Sequence, residues 1–225
     1  YNVHFDIGRD PTVTLALAMC TQRMARRRAL IRHLPAAETL GSATVIVTDK
    51  TGTLTENQMR ATQGWFAEGF LALPALDAGT VRWHRDFLDV ALNCHSLQRV
   101  TENGRRRLLG DPMEAALVEM AESASAAAPE ATKTDELPFD ADRRRMSTVH
   151  ETGRGRLLYC KGAPEVVIPL CSAVQTGANG TADFDAGLNE RLQMAMDDMA
   201  ARGLRVLALA WRELPPRTPR EEWES

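Results

Sequence analysis

Ala43-Thr44-Val45-Ile46-Val47-Thr48-Asp49-Lys50-Thr51-Gly52-Thr53-Leu54-Thr55 is the stretch that decides how this chain reads. Its first six residues are apolar or β-branched, a run that predicts a strand buried on both faces as in a parallel α/β sheet. The Thr/Gly cluster behind them ends the strand. Asp49 then falls at the strand's carboxyl end, where open α/β sheets place their chemistry. A carboxylate there can attack a γ-phosphoryl group and form an aspartyl-phosphate, with Mg²⁺ and Lys50 offsetting the charge that would repel it. The competing reading is an Asx-turn, in which Asp49 only bonds the backbone of Thr51.

Composition sets the frame around this run. The chain has 225 residues, 44% hydrophobic and 25% charged, as for a globular protein of one or two domains. The net charge of −3 is unevenly spread: six arginines face three acids within residues 1–43, so the remainder is acidic. That balance argues against nucleic acid as the main partner. Cys20, Cys94, Cys160 and Cys171 have no CxxC spacing and no nearby His pattern, which excludes a zinc-site reading and predicts reduced thiols. No signal peptide is visible, and no apolar run reaches the ~18 residues needed to span a bilayer. Only three of the 27 basic residues are lysine, and two of these, Lys50 and Lys161, lie in motifs where a compact ammonium differs from a planar guanidinium.

Outward from the Asp49 run, the pattern predicts one helix from about Thr12 to Ile31, with Pro11 in its first turn and an arginine-rich end. It reads equally as a solvated surface helix or as the cytoplasmic end of a membrane helix with its basic boundary. After Met59 the chain turns to mixed α and β. Residues 64–70 read as a strand and 85–97 as a helix carrying Phe87, Leu88, Val90, Ala91 and Cys94 on its apolar side. Residues 123–130 are low-complexity. Gly153-Arg154-Gly155 between two apolar runs predicts a hairpin, residues 175–187 a polar loop, 189–201 a helix ended at Gly203, and 204–210 a strand. Strands returning by hairpins, with helices on them, predict an antiparallel sheet domain inserted after the parallel Asp49 strand.

Three further motifs have plain structural readings. In Gly110-Asp111-Pro112-Met113-Glu114, Asp111 is an N-cap, Pro112 the first helical residue and Glu114 the capping-box acid. In Leu137-Pro138-Phe139-Asp140-Ala141-Asp142-Arg143-Arg144-Arg145-Met146-Ser147, Phe139 reads by composition as a core residue. Lys161-Gly162-Ala163-Pro164-Glu165 is a strand-to-helix turn in which Gly162 lets a ligand approach the backbone while Lys161 faces it. Arg205 reads as a solvated strand arginine.

The run from Asp49 to Thr55 matches the phosphorylation motif of P-type ATPases, the pumps that pass through a phospho-aspartate, and the chain resembles that family from Pro11 to about Pro216. The resemblance is to the type II cation pumps, calcium pumps among them. It implies that residues 1–42 are a stalk at the end of the fourth membrane helix and 43–62 the first segment of a Rossmann-like haloacid-dehalogenase phosphorylation domain. It likewise makes 63–216 the nucleotide-binding domain and 217–225 a tail or hinge. It makes Asp49 the phospho-acceptor, helped by Lys50 and Thr51, with Mg²⁺ on the Asp49 carboxylate and the Thr51 carbonyl. ATP is expected on Glu114, Phe139, Arg144, Lys161, Gly162 and Arg205, with Phe139 stacking on adenine and so reversing the core reading. Ala141 departs from animal calcium pumps, which often have Arg there. The transported cation, the membrane and actuator parts and the second phosphorylation segment are expected partners, at the cytoplasmic face of the cell membrane. The chain alone is expected to bind ATP weakly without turnover. The rivals are a soluble haloacid-dehalogenase-type phosphatase, which would need an acid where Thr51 stands, and a catalytically idle nucleotide-binding module.

Overall fold

The computed structural model describes residues 11–73, 84–102, 104–124, 131–176 and 180–224. Most of the low-complexity stretch at 123–130 lies outside them. The chain divides into two compact units, Tyr1–Glu56 and Asn57–Ser225.

The first unit is a helical pair followed by the Asp49 run. Helix α1 (Pro11–Arg26) opens on its proline and closes with Arg23 and Arg26 in the last turn, where cations suit the helix dipole. It ends five residues before the sequence reading, because the chain enters the left-handed region at Arg28 (φ 62°). Helix α2 (Leu34–Gly41) follows, with Ala37 as its buried residue. No helix among the described residues is long and apolar enough to cross a membrane.

Residues 43–48 do not form the expected buried strand. They join no ladder, and Val45, Ile46 and Val47 are 76%, 84% and 95% exposed. A parallel strand needs hydrogen-bonding neighbours and cover on both faces, and none of the described strands pairs with this run. A β-branched sequence states a preference for a strand, and the pairing and burial have to come from partners.

The second unit is built on an antiparallel four-stranded sheet in the order β10-β7-β6-β5. Its strands are β5 (Ala131–Asp140), β6 (Arg145–Thr152), β7 (Gly155–Gly162) and β10 (Ala208–Glu213). The Gly153-Arg154-Gly155 hairpin falls where the sequence places it, with Gly155 at φ 106°. The last strand begins at Ala208 instead of Leu204, so residues 204–207 are a connection.

Alternation sends the two faces of the sheet to different partners. Met146, Leu157 and Tyr159 pack with Val90 and Cys94 of helix α3 (Arg85–Asn93). Leu88, Ala91 and Leu92 of the same helix meet Leu117, Met120 and Ala121 of helix α4 (Pro112–Ser123). On the other face Val149 and Leu158 are covered by Leu214 and Trp223. Residues 214–224 thus form a strap across the sheet, fixed by Arg220 Nη2 donating to the Glu136 carbonyl at 2.7 Å and Trp223 Nε1 to the Thr218 carbonyl at 3.1 Å.

Three two-stranded hairpins flank this core. They are β1 (Gln63–Phe66) with β2 (Gly69–Ala72), β3 (Gln98–Glu102) with β4 (Arg105–Leu109), and β8 (Ala173–Thr176) with β9 (Gly180–Asp183). The first replaces the single strand read at 64–70, and the last occupies part of the stretch read as a polar loop. Helix α5 (Pro164–Val167) follows β7, and helix α6 (Ala186–Ala201) is capped by Asp185, which accepts from the Leu188 N–H at 2.6 Å. It stops before Gly203 (φ 73°) as the sequence predicts.

Buried His150 gives this core a pH dependence. Burial lowers its pKa to about 4, Lys133 adds to the effect, and the ring lies beside Tyr159 with Nε2 on the Thr148 hydroxyl. The folded state therefore favours the neutral imidazole, so the stabilisation is present above the ordinary pKa of 6.5 and is lost as pH falls from there toward 4. Melting temperature should drop between pH 6.5 and 4.5, and a His150→Gln variant should lose less over the same interval. An equal loss in both proteins would remove His150 as the cause.

Candidate functional site

Asp49 has the exposure an acceptor carboxylate needs. Its side chain makes no capping hydrogen bond, so the Asx-turn reading does not hold. The turn behind it is shaped by Gly52 at φ 78° and closed by Thr55, whose N–H reaches the Lys50 carbonyl at 3.1 Å while its hydroxyl accepts from the Gly52 N–H at 3.3 Å. Lys50 and Thr51 are exposed in the same turn. An accessible carboxylate and a nearby carbonyl are hard oxygen donors, a set that fits Mg²⁺ completed by water and phosphate oxygens.

In the second unit the most constrained charges are Lys161 and Glu114. Glu114 is the third residue of α4, behind the Asp111 cap, which accepts from the Met113 and Glu114 N–H groups at 2.8 and 3.3 Å. Lys161 on β7 is only 6% exposed, and its ammonium lies 2.8 Å from Glu114 Oε1 while also donating to the Cys94 carbonyl. Glu114 Oε2 accepts from the Ser96 N–H at 3.0 Å. A second pair, Lys133–Glu136, takes the next groups of the same loop: Lys133 donates to the His95 carbonyl at 3.1 Å and Ser96 Oγ to Glu136 at 3.3 Å. Two lysine–glutamate pairs thus pin residues 94–96 between α3 and β3. Sequence reasoning had Lys161 and Glu114 but missed their mutual contact and the role of Lys133. The rarity of lysine was the available signal, since Lys133 is the third of three.

Burial pushes the Cys94 thiol up to about 12 against the opposing pull of Lys161, so Cys94 is a neutral packing group here. Burial likewise lowers the His95 pKa, with Glu114 opposing it.

Phe139, Arg144 and Gly162 gather at the same end of the sheet. Asp140 pairs with Arg145 and Arg145 with Gly162, so β6 stands between the two motifs. The β5 register shifts between Leu137 and Asp140, where Pro138 has no N–H to give the ladder. Phe139 emerges from this irregularity 64% exposed, against the composition reading of a core residue. The turn that follows is fixed from inside: Asp140 Oδ1 accepts from the Asp142 and Arg143 N–H groups at 3.0 and 2.9 Å, and the Arg144 N–H bonds the Asp140 carbonyl at 2.7 Å. Arg144 is held at φ 49°, an uncommon conformation for a residue with a side chain. Its guanidinium pairs with exposed Glu165 at 2.7 Å.

Gly162 is required for a reason other than ligand approach. A Cβ there would lie 2.5 Å from Arg145 Cβ and 2.6 Å from the Arg144 carbonyl oxygen, which accepts from the Ala163 N–H. The space belongs to β6. Arg205 lies in the connection before β10 and is exposed, with no ion pair among the described residues. A cavity of about 620 Å³ opens at the opposite end of the sheet among Glu151, Arg154, Arg156, Glu213 and Arg217, away from all of these candidates.

Residues 84–225 match the family model described as P-type ATPase, cytoplasmic domain N, which is more than half of the chain. The chain therefore belongs to the P-type ATPases. It is 33% identical over 233 residues to the cation-transporting ATPase pma1 of Synechocystis, an alignment covering 93% of this chain and 25% of that one. It is 33% identical over 211 residues to the calcium-transporting ATPase lmo0841 of Listeria monocytogenes, covering 92% and 24%. With the probable cation-transporting ATPase F of Mycobacterium tuberculosis the identity is 37% over 227 residues, covering 89% and 24%. The chain spans about a quarter of the length of the curated relatives it matches.

The buried pair makes a stability prediction. Lys161→Ala leaves the Glu114 carboxylate without its cation, and should cost about 3–5 kcal/mol in denaturant unfolding. Lys161→Met combined with Glu114→Leu should cost less than the single change. A double variant as unstable as the sum of its singles would show that the two charges act independently.

Proposed function

We propose that this chain is the ATP-binding and phospho-acceptor part of an ATP-driven cation pump. The observation that carries the reading is the N-domain family match combined with an open carboxylate, Asp49, inside the phosphorylation-type run. The second unit supplies nucleotide binding, with Phe139, Arg144 and Arg205 as its exposed groups and the buried Glu114, Lys161 and Gly162 shaping the loop and turn behind them. Residues 43–62 are read as the first segment of a haloacid-dehalogenase-like phosphorylation domain, 63–216 as the nucleotide-binding domain, 1–42 as the stalk and 217–225 as a tail. The whole pump would sit with these parts at the cytoplasmic face of a cell membrane and transport a cation through segments outside this chain.

In this mechanism the exposed Phe139 ring offers a face for adenine, and Arg144 and Arg205 offer cations for phosphate oxygens. Glu114 and Lys161 hold the 94–96 loop in place. Asp49 is the nucleophile: its carboxylate oxygen bonds the γ-phosphorus as the bond to the ADP oxygen breaks, leaving an acyl-phosphate and ADP. Lys50 lowers the repulsion between the incoming phosphate and the carboxylate. Mg²⁺, held by the Asp49 carboxylate and the Thr51 carbonyl, would neutralise charge that develops on the phosphate oxygens.

Calorimetric titration of the chain with ATP should give weak, saturable binding that Phe139→Ala and Lys161→Glu each reduce at least about tenfold, as expected on losing a stacking face or a buried cation. The chain alone should show no multiple turnover. Binding indifferent to both substitutions would remove the nucleotide site from this reading, and steady ATP hydrolysis by the isolated chain would contradict the assigned division of labour.

A further inference from the structure

Three consecutive arginines, Arg143 to Arg145, stand shortly after Phe139, and two of them turn onto one acid. Arg143 Nη1 donates to both oxygens of the Glu224 carboxylate at 3.0 and 2.9 Å. Arg145 reaches the same carboxylate through Nε at 2.8 Å and Nη2 at 2.8 Å, and Ser147 Oγ donates to it at 2.6 Å. Glu224 is nearly buried, with only 10% of its side chain exposed. Two guanidinium groups and a hydroxyl therefore converge on one acid, 77 or more residues away in sequence.

The arrangement does more than fasten the strap. Arg143 Nη2 also donates to the Pro138 carbonyl at 2.6 Å, the peptide that leads into Phe139. One guanidinium so links Glu224 to the backbone on the near side of the aromatic ring. Arg145, on the far side of the turn, is held by the same carboxylate and packs its Cβ against Gly162. Arg144 stands between these two clamped residues, at a positive φ and with its carbonyl bonded to Ala163. Remove the acid, and two neighbouring cations lose the anion that holds them together beneath that turn.

We infer that Glu224 is a positioning residue for nucleotide binding: by holding Arg143 and Arg145 it fixes the main chain that presents Phe139 and Arg144 to ATP. This rests on the nucleotide reading above. The carboxylate orients the turn from the opposite side and touches no nucleotide. Trp223 anchors the same strap in the core independently, through Val149, Leu158 and Leu214. Loss of the carboxylate and loss of the strap can therefore be told apart.

The test is ATP titration of the chain as wild type, Glu224→Gln, Arg143→Gln and the double variant, with Phe139→Ala alongside. Glu224→Gln should raise the Kd for ATP about fivefold or more, as expected when a preorganised surface is loosened. Arg143→Gln should act similarly, and the double variant should be no worse than either single, the sign of a shared pathway. In NMR spectra without ligand, amides of residues 139–145 should shift in Glu224→Gln while the Trp223 indole N–H stays in place. Unchanged ATP affinity in Glu224→Gln, with Phe139→Ala still disruptive, would overturn the inference and leave the nucleotide reading standing. Indifference to Phe139→Ala would remove both. A weaker Kd accompanied by movement of the Trp223 indole would make Glu224 a structural latch, contrary to the inference. Should Glu224→Gln fail to fold, Ser147→Ala removes one hydrogen bond from the same carboxylate. It should raise the Kd about two- to threefold, and no change there would equally refute the role.

Discussion

The ion pair between Lys161 and Glu114 is the constraint around which the second unit is arranged. Two charges withdrawn from water are tolerable only when each finds its partner and its remaining hydrogen bonds. Here the surplus donors and acceptors are met by the Cys94 carbonyl and the Ser96 N–H, so α4, β7 and the 94–96 loop must come together for any of them to be satisfied. The pair specifies where α3 ends, how α4 abuts the sheet and which way the loop between them runs. The exposed Lys133–Glu136 pair repeats the arrangement one step outward, where solvent weakens the attraction and its contribution is chiefly geometric.

What could be read in the sequence followed from local chemistry. The Asp111-Pro112 helix start, the Gly153-Arg154-Gly155 hairpin and the stop at Gly203 each depend on a few neighbouring residues, and each lies where those residues put it. The strands at 98–109 were not read because alternating polar residues in a solvated hairpin give little signal. The run at 43–48 fails for the opposite reason: its residues state a preference for burial that only other strands can fulfil. For the candidate site, the motif positions were legible, but the inward turn of Lys161 was not. Nor was the acid at 224, because an ion pair spanning nearly eighty residues leaves no spacing rule to find.

The basic turn after Phe139 shows how a cluster of like charge is divided by its surroundings. Arg143 and Arg145 converge on one carboxylate, which burial would push toward protonation but which the Ser147, Arg143 and Arg145 hydrogen bonds hold below the usual carboxylate range. Arg144 alone is left toward solvent, opposite Glu165. Composition counts three arginines there, whereas the geometry commits two to Glu224 and leaves one on the outer side, in an exposed pair with Glu165. Ala141 adds none, so Arg144 carries the positive charge of the turn's outer side.

The exposed run Val45-Ile46-Val47 has a consequence for the chain in solution. Among the described residues it pairs with no strand, its side chains are β-branched, and residues 43–48 hold no charge or proline that would interrupt stacking. A segment of this composition and exposure has the chemistry of a template for β-pairing. Asp49 and Lys50, directly after it, are charges in gatekeeper positions that keep the apolar stretch short.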